Sequence, residues 1–338
     1  MAFLIGAQKS GTTFLFDQLV ARHPHIIGRT WNDTGTPFMK KEAHFFSRVP
    51  LLEKDFLEYT SSFAASGDIN SQNFTFLDAT PDYMQIASAP CRISSLVPEA
   101  KIIVVLRDPV LRAFSHWNMN QKLQLRPLVK KFDEEVRIEI EGLRKNGCSF
   151  ESDAFTATES HKDSSYSRTG SSWNKCFKCK FECGLYSAGD KKDHSKDSPL
   201  RRKSVEMSCS ESLFSIHGIV RRGFHAEQLH WWLQHLRPDQ FLILQYEQLK
   251  LSANETLERV VKHLGLDPSL ISKDPLKSLQ EKPSVYASTK WELPTGGWSI
   301  PADNATKQKC MQTFKYLRNF YAPANDRLEQ LLNSLGMA

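Results

Sequence analysis

A chain of 338 residues that is 40% hydrophobic and 24% charged can bury a sizeable core and has the make-up of an ordinary globular protein. Its net charge of +6 leans toward anionic partners such as nucleotides or acidic glycans, and charge alone specifies nothing further. No apolar run reaches the roughly 18 residues of a membrane span, and seven cysteines are too few for a disulfide framework.

In chain order, Ala2–Ile5 reads at once as a buried strand and leaves no room before it for a signal peptide or anchor. The chain is therefore cytosolic or a catalytic fragment without its upstream anchor. N-x-[ST] triplets at Asn32, Asn73, Asn254 and Asn304 point toward a secretory lumen. A helix follows with Leu15, Phe16, Leu19 and Val20 on one face, stopping near His23-Pro24. Short apolar runs at Phe74–Leu77 and Lys101–Leu106 read as further strands. Arg107-Asp108-Pro109 then opens a helix through about Gln124, with Asp as cap and Pro in the first turn. About residues 149–212 the composition shifts to serine, lysine and cysteine, which reads as an insertion. Beyond it come a helix over Phe224–Leu236, a strand at Phe241–Gln245, a helix over Glu255–Leu264 stopped by Gly265, and a last helix around Arg327–Leu335. Strands alternating with helices predict an α/β class: a single domain over 1–338, built on a parallel sheet with flanking helices and interrupted by the insertion.

The chemistry begins at the first strand-to-helix junction, Gly6-Ala7-Gln8-Lys9-Ser10-Gly11-Thr12-Thr13. Backbone amides at a helix N-terminus form an anion site. Gly6 and Gly11 let the backbone approach phosphate oxygens, Lys9 supplies a cation, and Ser10, Thr12 and Thr13 supply hydroxyls. A Walker A loop has its Lys after the second Gly, whereas Lys9 precedes Ser10-Gly11, which is the wrong order for a typical ATPase. A second anion site is predicted at the exit of Lys101–Leu106, where Arg107 can clamp a phosphate and Ser115 lies two helical turns further on.

Lys-Ser-Gly-Thr-Thr after a strand resembles the 5′-phosphosulfate loop of the sulfotransferases that use PAPS (3′-phosphoadenylyl sulfate). Arg107-Asp108-Pro109-x-x-Arg112-x-x-Ser115 resembles the same family's 3′-phosphate motif. The resemblance covers roughly residues 1–140 and 215–338 and is closest to the membrane-bound, Golgi-type carbohydrate and heparan enzymes. It implies a fold like that of the P-loop nucleotide kinases, PAPS as co-substrate, a carbohydrate acceptor, no metal and no nucleic acid. By the same resemblance Lys41-Glu42-Ala43-His44-Phe45-Phe46 carries the catalytic base on Glu42, since an alcohol attacks poorly until its proton is taken. His44 assists by hydrogen bonding or by placing the acceptor. Lys9 acts in catalysis as well as in binding, and Arg222 approaches the donor or lies on the surface.

One departure stands out. The heparan enzymes carry E-K-S-P-x-Y with a functional Lys, and the matching stretch here is Asp78-Ala79-Thr80-Pro81-Asp82-Tyr83, so acceptor recognition differs there. Phe320–Leu328 resembles the close of the membrane-bound carbohydrate enzymes, and Ser288–Trp298 is the candidate adenine-side loop. Cys176, Cys179 and Cys183 suit either disulfides in an oxidising lumen or, with a further ligand, zinc. Location is expected to be the Golgi lumen, with the cytoplasm as alternative. The other functional readings are a Mg²⁺-dependent P-loop kinase and a non-catalytic binder of acidic glycans.

Overall fold

Apolar side chains on both faces of a strand require cover on both sides, and the runs at Ala2–Gly6 and Lys101–Leu106 receive it in a parallel sheet. The structure, a computed structural model, describes residues 1–28, 41–47, 53–64, 74–86, 88–123, 131–145, 218–273 and 304–337. The insertion at about 149–212 and Ser288–Trp298 lie outside these residues. In chain order the elements are β1 (Ala2–Gly6), α1 (Thr12–Arg22), β2 (Ile26–Gly28), α2 (Glu53–Ala64), β3 (Thr75–Asp78), α3 (Ser88–Leu96) and β4 (Lys101–Leu106). There follow α4 (Pro109–Leu123), α5 (Phe132–Lys145), α6 (His225–Leu233), β5 (Phe241–Gln245), α7 (Tyr246–Leu251), α8 (Ala253–His263) and α9 (Asn304–Ser334). They fall into two compact units, one of residues 1–108 and 228–273, the other of residues 109–123, 131–145, 218–227 and 304–337.

The first unit holds the sheet, five parallel strands in the order β2-β3-β1-β4-β5. On one face Leu4, Ile103, Val105 and Leu244 pack with Leu15 and Leu19 of α1 and with Leu257, Val260 and Val261 of α8. On the other, Phe3 meets the ring of Phe46, which contacts Tyr59 of α2 and Tyr83. Trp232 of α6 is fully buried and donates its indole N–H to the carbonyl of Met84. Parallel pairing brings the exits of β1, β3, β4 and β5 to one edge. The chain leaves β1 toward β2 and leaves β4 toward β5, so the order reverses between β1 and β4, where α/β sheets open a ligand crevice.

The second unit is helical. Phe114 and Trp117 of α4, Phe132, Val136 and Ile140 of α5, and Phe314, Leu317 and Tyr321 of α9 form its core with Val220 and Phe224. Glu139 accepts the backbone N–H groups of Val220 and Arg221, and the Tyr321 hydroxyl donates to the Val220 carbonyl at 2.6 Å. Arg327 pairs with Glu227.

The strands anticipated at Ala2–Ile5, Lys101–Leu106 and Phe241–Gln245 are present, and Gly265 ends α8 with a φ of 73°. The second anticipated strand is shifted by one residue, which makes Asp78 its last member. The helix anticipated only around Arg327–Leu335 begins instead at Asn304 and runs through Pro323. Proline removes one hydrogen bond from a helix interior; the buried stripe Cys310, Phe314, Leu317, Tyr321 and Ala324, at three- and four-residue spacing, outweighs that loss. The sequence reading also passed over the short β2 and helices α2, α3 and α5.

Leu317 is fully buried in this stripe. Leu317→Ala should cost about 2–5 kcal/mol, read as a lower denaturant midpoint with unchanged slope.

Candidate active site

The loop from Gly6 to Thr13 is the exit of β1. Ala7 N–H donates to the Val105 carbonyl of β4 at 2.8 Å, and Ser10 N–H donates back to Ala7. Gly11 is the N-cap of α1 at φ 82°, and no side chain caps the helix's first amides. A Cβ at Gly11 would lie 3.0 Å from the Tyr246 ring, so glycine is required twice over. Lys9 also holds a positive φ, 72°, a conformation a non-glycine residue adopts only under outside constraint. Ser10 is fully buried, and its hydroxyl has no hydrogen-bond partner among the described residues. A hydroxyl left so costs about 1–3 kcal/mol, which a ligand oxygen at this loop would offset. These features fit a phosphate or sulfate group.

Arg107, at the exit of β4, donates from its guanidinium to the Lys9 carbonyl at 2.7 Å. Its guanidinium carbon stands 4.7 Å from the ring centroid of Tyr246, at the exit of β5. Lys9, Gly11, Arg107 and Tyr246 thus form one group at the reversal point of the sheet. Tyr246 stands in the sequence inside Tyr246-Glu247-Gln248-Leu249, but nothing there indicates a stacking role. Thr12 is buried and Thr13 exposed. Ser115, half-buried in α4, and Arg222, buried in the turn Arg221–Gly223, belong to the second unit.

The second cluster hangs on the exit of β3. Ala79 N–H donates to the Lys41 carbonyl at 3.1 Å, joining the loop 41–47 to the sheet. Asp78, fully buried, accepts from Thr80 on one oxygen at 2.6 Å and from Tyr59 and Tyr83 on the other, both at 2.9 Å. Thr80 and Tyr83 in turn accept the backbone N–H groups of His44 and Phe46. The loop so fixed presents Glu42 with both carboxylate oxygens engaged, Oε1 by Lys41 Nζ at 2.5 Å and Oε2 by His44 Nε2 at 3.1 Å. His44 Nδ1 lies 3.8 Å from Asp82, and its φ is 50°. Burial alone would raise the Glu42 carboxyl, but the His44 hydrogen bond and the Lys41 charge outweigh it and hold the group below the usual glutamate range. Burial pulls His44 down, yet its hydrogen bond to Glu42 and the charges of Asp82, Glu42 and Asp78 leave it above its ordinary value. Sequence reasoning reached Glu42 and His44 but passed over Lys41, Asp78 and Asp82 as partners. Among the described residues no group of three or more His, Cys, Asp or Glu could hold a metal ion.

The strand–helix loop with its unpartnered buried hydroxyl, the stacked arginine and the paired carboxylate thus lie at one sheet edge. The family model described as "Sulfotransferase domain" matches residues 1–291, and the chain belongs to that family. The match ends before Phe320–Leu328. It sets the chain with sulfotransferases rather than nucleotide kinases. Among its relatives is the human bifunctional heparan sulfate N-deacetylase/N-sulfotransferase 3, 24% identical over 98% of this chain and 30% of that protein. The human heparan sulfate glucosamine 3-O-sulfotransferase 3B1 is 31% identical over 39% of this chain and 29% of its own length. The membrane-associated sulfotransferase kil1 of Dictyostelium discoideum is 23% identical over 78% of this chain and 55% of its own. The chain therefore spans about a third of the length of the first of these relatives. A solved sulfotransferase from Alicyclobacillus acidocaldarius has the same fold, with a TM-score of 0.53 and 19% identity over 98% of this chain and 95% of that one.

Thr80 is the joint between Asp78 and the backbone of His44. Thr80→Val, which keeps the shape but strands both partners, should destabilise the protein by about 1–3 kcal/mol. Thr80→Ser should restore most of that in thermal unfolding.

Proposed function

We propose that this chain transfers a sulfuryl group from PAPS to a hydroxyl or amine of a carbohydrate, with Glu42 taking the acceptor's proton. The supporting observation is the Glu42 carboxylate, 18% exposed and held by Lys41 and His44 on a loop tied to the exit of β3. β3 pairs with β1, whose exit is the phosphate loop. Bound at that edge, PAPS supplies the sulfuryl group and carries the leaving phosphate. Lys9, Ser10, Gly11, Thr12, Thr13 and the first amides of α1 bind the phosphosulfate, while Arg107 serves the 3′-phosphate; the motif resemblance alone adds Ser115 to that phosphate and Arg222 to the donor. As the acceptor atom bonds to sulfur and the sulfur–oxygen bond to phosphate breaks, Lys9 offsets charge on the bridging oxygen. The acceptor proton passes to Glu42, and His44 steadies the carboxylate from its other side.

The acceptor class follows the relatives, two of which are named for heparan sulfate and one of these for glucosamine. We place the activity in the Golgi lumen. Cys91 is disulfide-bonded, which suits an oxidising compartment. Asn254, in one of the four sequons, is exposed at the start of α8, where its side-chain oxygen accepts from Arg22. Cys176, Cys179 and Cys183 lie outside the described residues, and Cys310 is a free, buried thiol. No helix among the described residues is long and apolar enough to cross a membrane.

The desulfonated product, 3′-phosphoadenosine 5′-phosphate, should raise the melting temperature without added Mg²⁺, and AMP should do so far less. Equal shifts from the two nucleotides would remove the 3′-phosphate assignment of Arg107 and Ser115.

With radiolabelled PAPS and an unsulfated glucosamine–glucuronate polysaccharide, Glu42→Gln should lose turnover by about 10²–10⁴ while keeping product-nucleotide affinity. Lys9→Ala should lose both rate and donor affinity. Near-normal turnover in Glu42→Gln would take Glu42 out of the mechanism.

A further inference from the structure

Lys41 is a lysine with 4% of its surface exposed, and lysine is rarely removed from water unless its charge is matched. Here the match is specific. Its ammonium lies 2.5 Å from Glu42 Oε1 and 3.5 Å from the Ala79 carbonyl. The reason for its direction is in the backbone: the Ala79 N–H bond to the Lys41 carbonyl makes the two residues neighbours. Ala79 itself is fully buried and brings only a methyl group to the strand exit.

We propose that Lys41 is the positioning residue of the active carboxylate: its ammonium clamps Glu42 Oε1 and supplies, from the residue bonded across to Ala79, the positive charge that the β3 exit itself lacks. The proposal rests on the reading of Glu42 as base. Three carboxylates, Glu42, Asp78 and Asp82, share this corner of the first unit with His44. Asp78 is satisfied by three hydroxyls. His44, half-exposed, lies between Glu42 and Asp82. Lys41 therefore supplies the buried positive charge that touches Glu42. With Oε1 clamped, the plane of the carboxylate is set and Oε2 keeps a free lone pair beyond its His44 bond, since each carboxylate oxygen can accept twice. An anionic carboxylate fixed in orientation is what proton abstraction during attack requires.

The test compares Lys41→Met, which keeps the length and removes the charge, with Lys41→Arg, which keeps it. Removing a positive neighbour raises a carboxyl pKa. In Lys41→Met the acid limb of kcat/KM should move to higher pH by about one unit or more, and Lys41→Arg should bring it back. The groups facing Glu42 that titrate alongside are His44 on its own loop, and Asp78 and Asp82 from β3 and its exit. Lys41→Met placed on Glu42→Gln should add little further loss of turnover, because a clamp has nothing left to hold.

A readout free of the acceptor is the titration of the Glu42 carboxyl carbon by NMR in glutamate-labelled protein, with the resonance assigned by its absence in Glu42→Gln. If Lys41→Met does not fold, Lys41→Gln offers the same neutral comparison. An unmoved Glu42 titration and acid limb in a protein whose Glu42→Gln variant is crippled would overturn the role of Lys41 alone. Full turnover in Glu42→Gln would overturn the base and the clamp together.

Discussion

Asp78 ends β3 with no solvent exposure, and its two oxygens receive the hydroxyls of Thr80, Tyr59 and Tyr83. Burial pushes its pKa up, and the three donors counter that by solvating the charge in place of water. The geometry of the loop 41–47 depends on this one satisfied group. Tyr59 comes from α2, Thr80 and Tyr83 from the segment after β3, and the last two pass the constraint on to the backbone at His44 and Phe46. Phe46 then packs between Phe3 of β1 and Tyr83. The loop that offers Glu42 is thus held by hydrogen bonds to the segment after β3 and by the aromatic packing of Phe46.

Such constraint permits strain. Among the described non-glycine residues, positive φ angles occur at Lys9 and His44. Lys9 stands at the exit of β1, and His44 on the loop 41–47 that is tied to the exit of β3. A backbone in this region is disfavoured by about 1–3 kcal/mol and persists only where its surroundings over-determine it. For Lys9 the surroundings are the Arg107 guanidinium on its carbonyl and the turn from Ala7 to Ser10. For His44 they are Thr80 and Glu42. The strain lies where side chains have to be aimed, which is the pattern expected of a preorganised site.

The strands were legible in the sequence because a parallel sheet leaves continuous apolar runs, and KIIVVL needs no context. The junction from Gly6 to Thr13 was legible as a strand–loop–helix turn because its glycines and small polar residues fall between an apolar run and a helical pattern. Asp78 was not, since an acid at a strand end usually meets water, and the tyrosine that shields it from α2 is 19 residues away along the chain. The stacking of Tyr246 under Arg107 joins residues on two strand exits that only the sheet order makes adjacent. The 31-residue α9 was hidden by Pro323, which reads locally as a stop. Its buried stripe acts through contacts with α4 and α5, and local propensity carries no record of those.

The charge beside Glu42 shows why position-by-position matching of a motif underestimates a site. At position 79 the sequence shows an alanine where a lysine is expected, and read as a string this is a lost function. In space, residues 41 and 79 are joined by a backbone hydrogen bond, and the Lys41 ammonium reaches both Glu42 and the Ala79 carbonyl. What the chemistry asks for is a positive charge within about 4 Å of a partly buried carboxylate, where water screens the pair less than at an open surface. Which residue supplies it is constrained only by the backbone path. On the proposed role of Lys41, the alanine at 79 and the buried lysine at 41 form one feature of this chain rather than two.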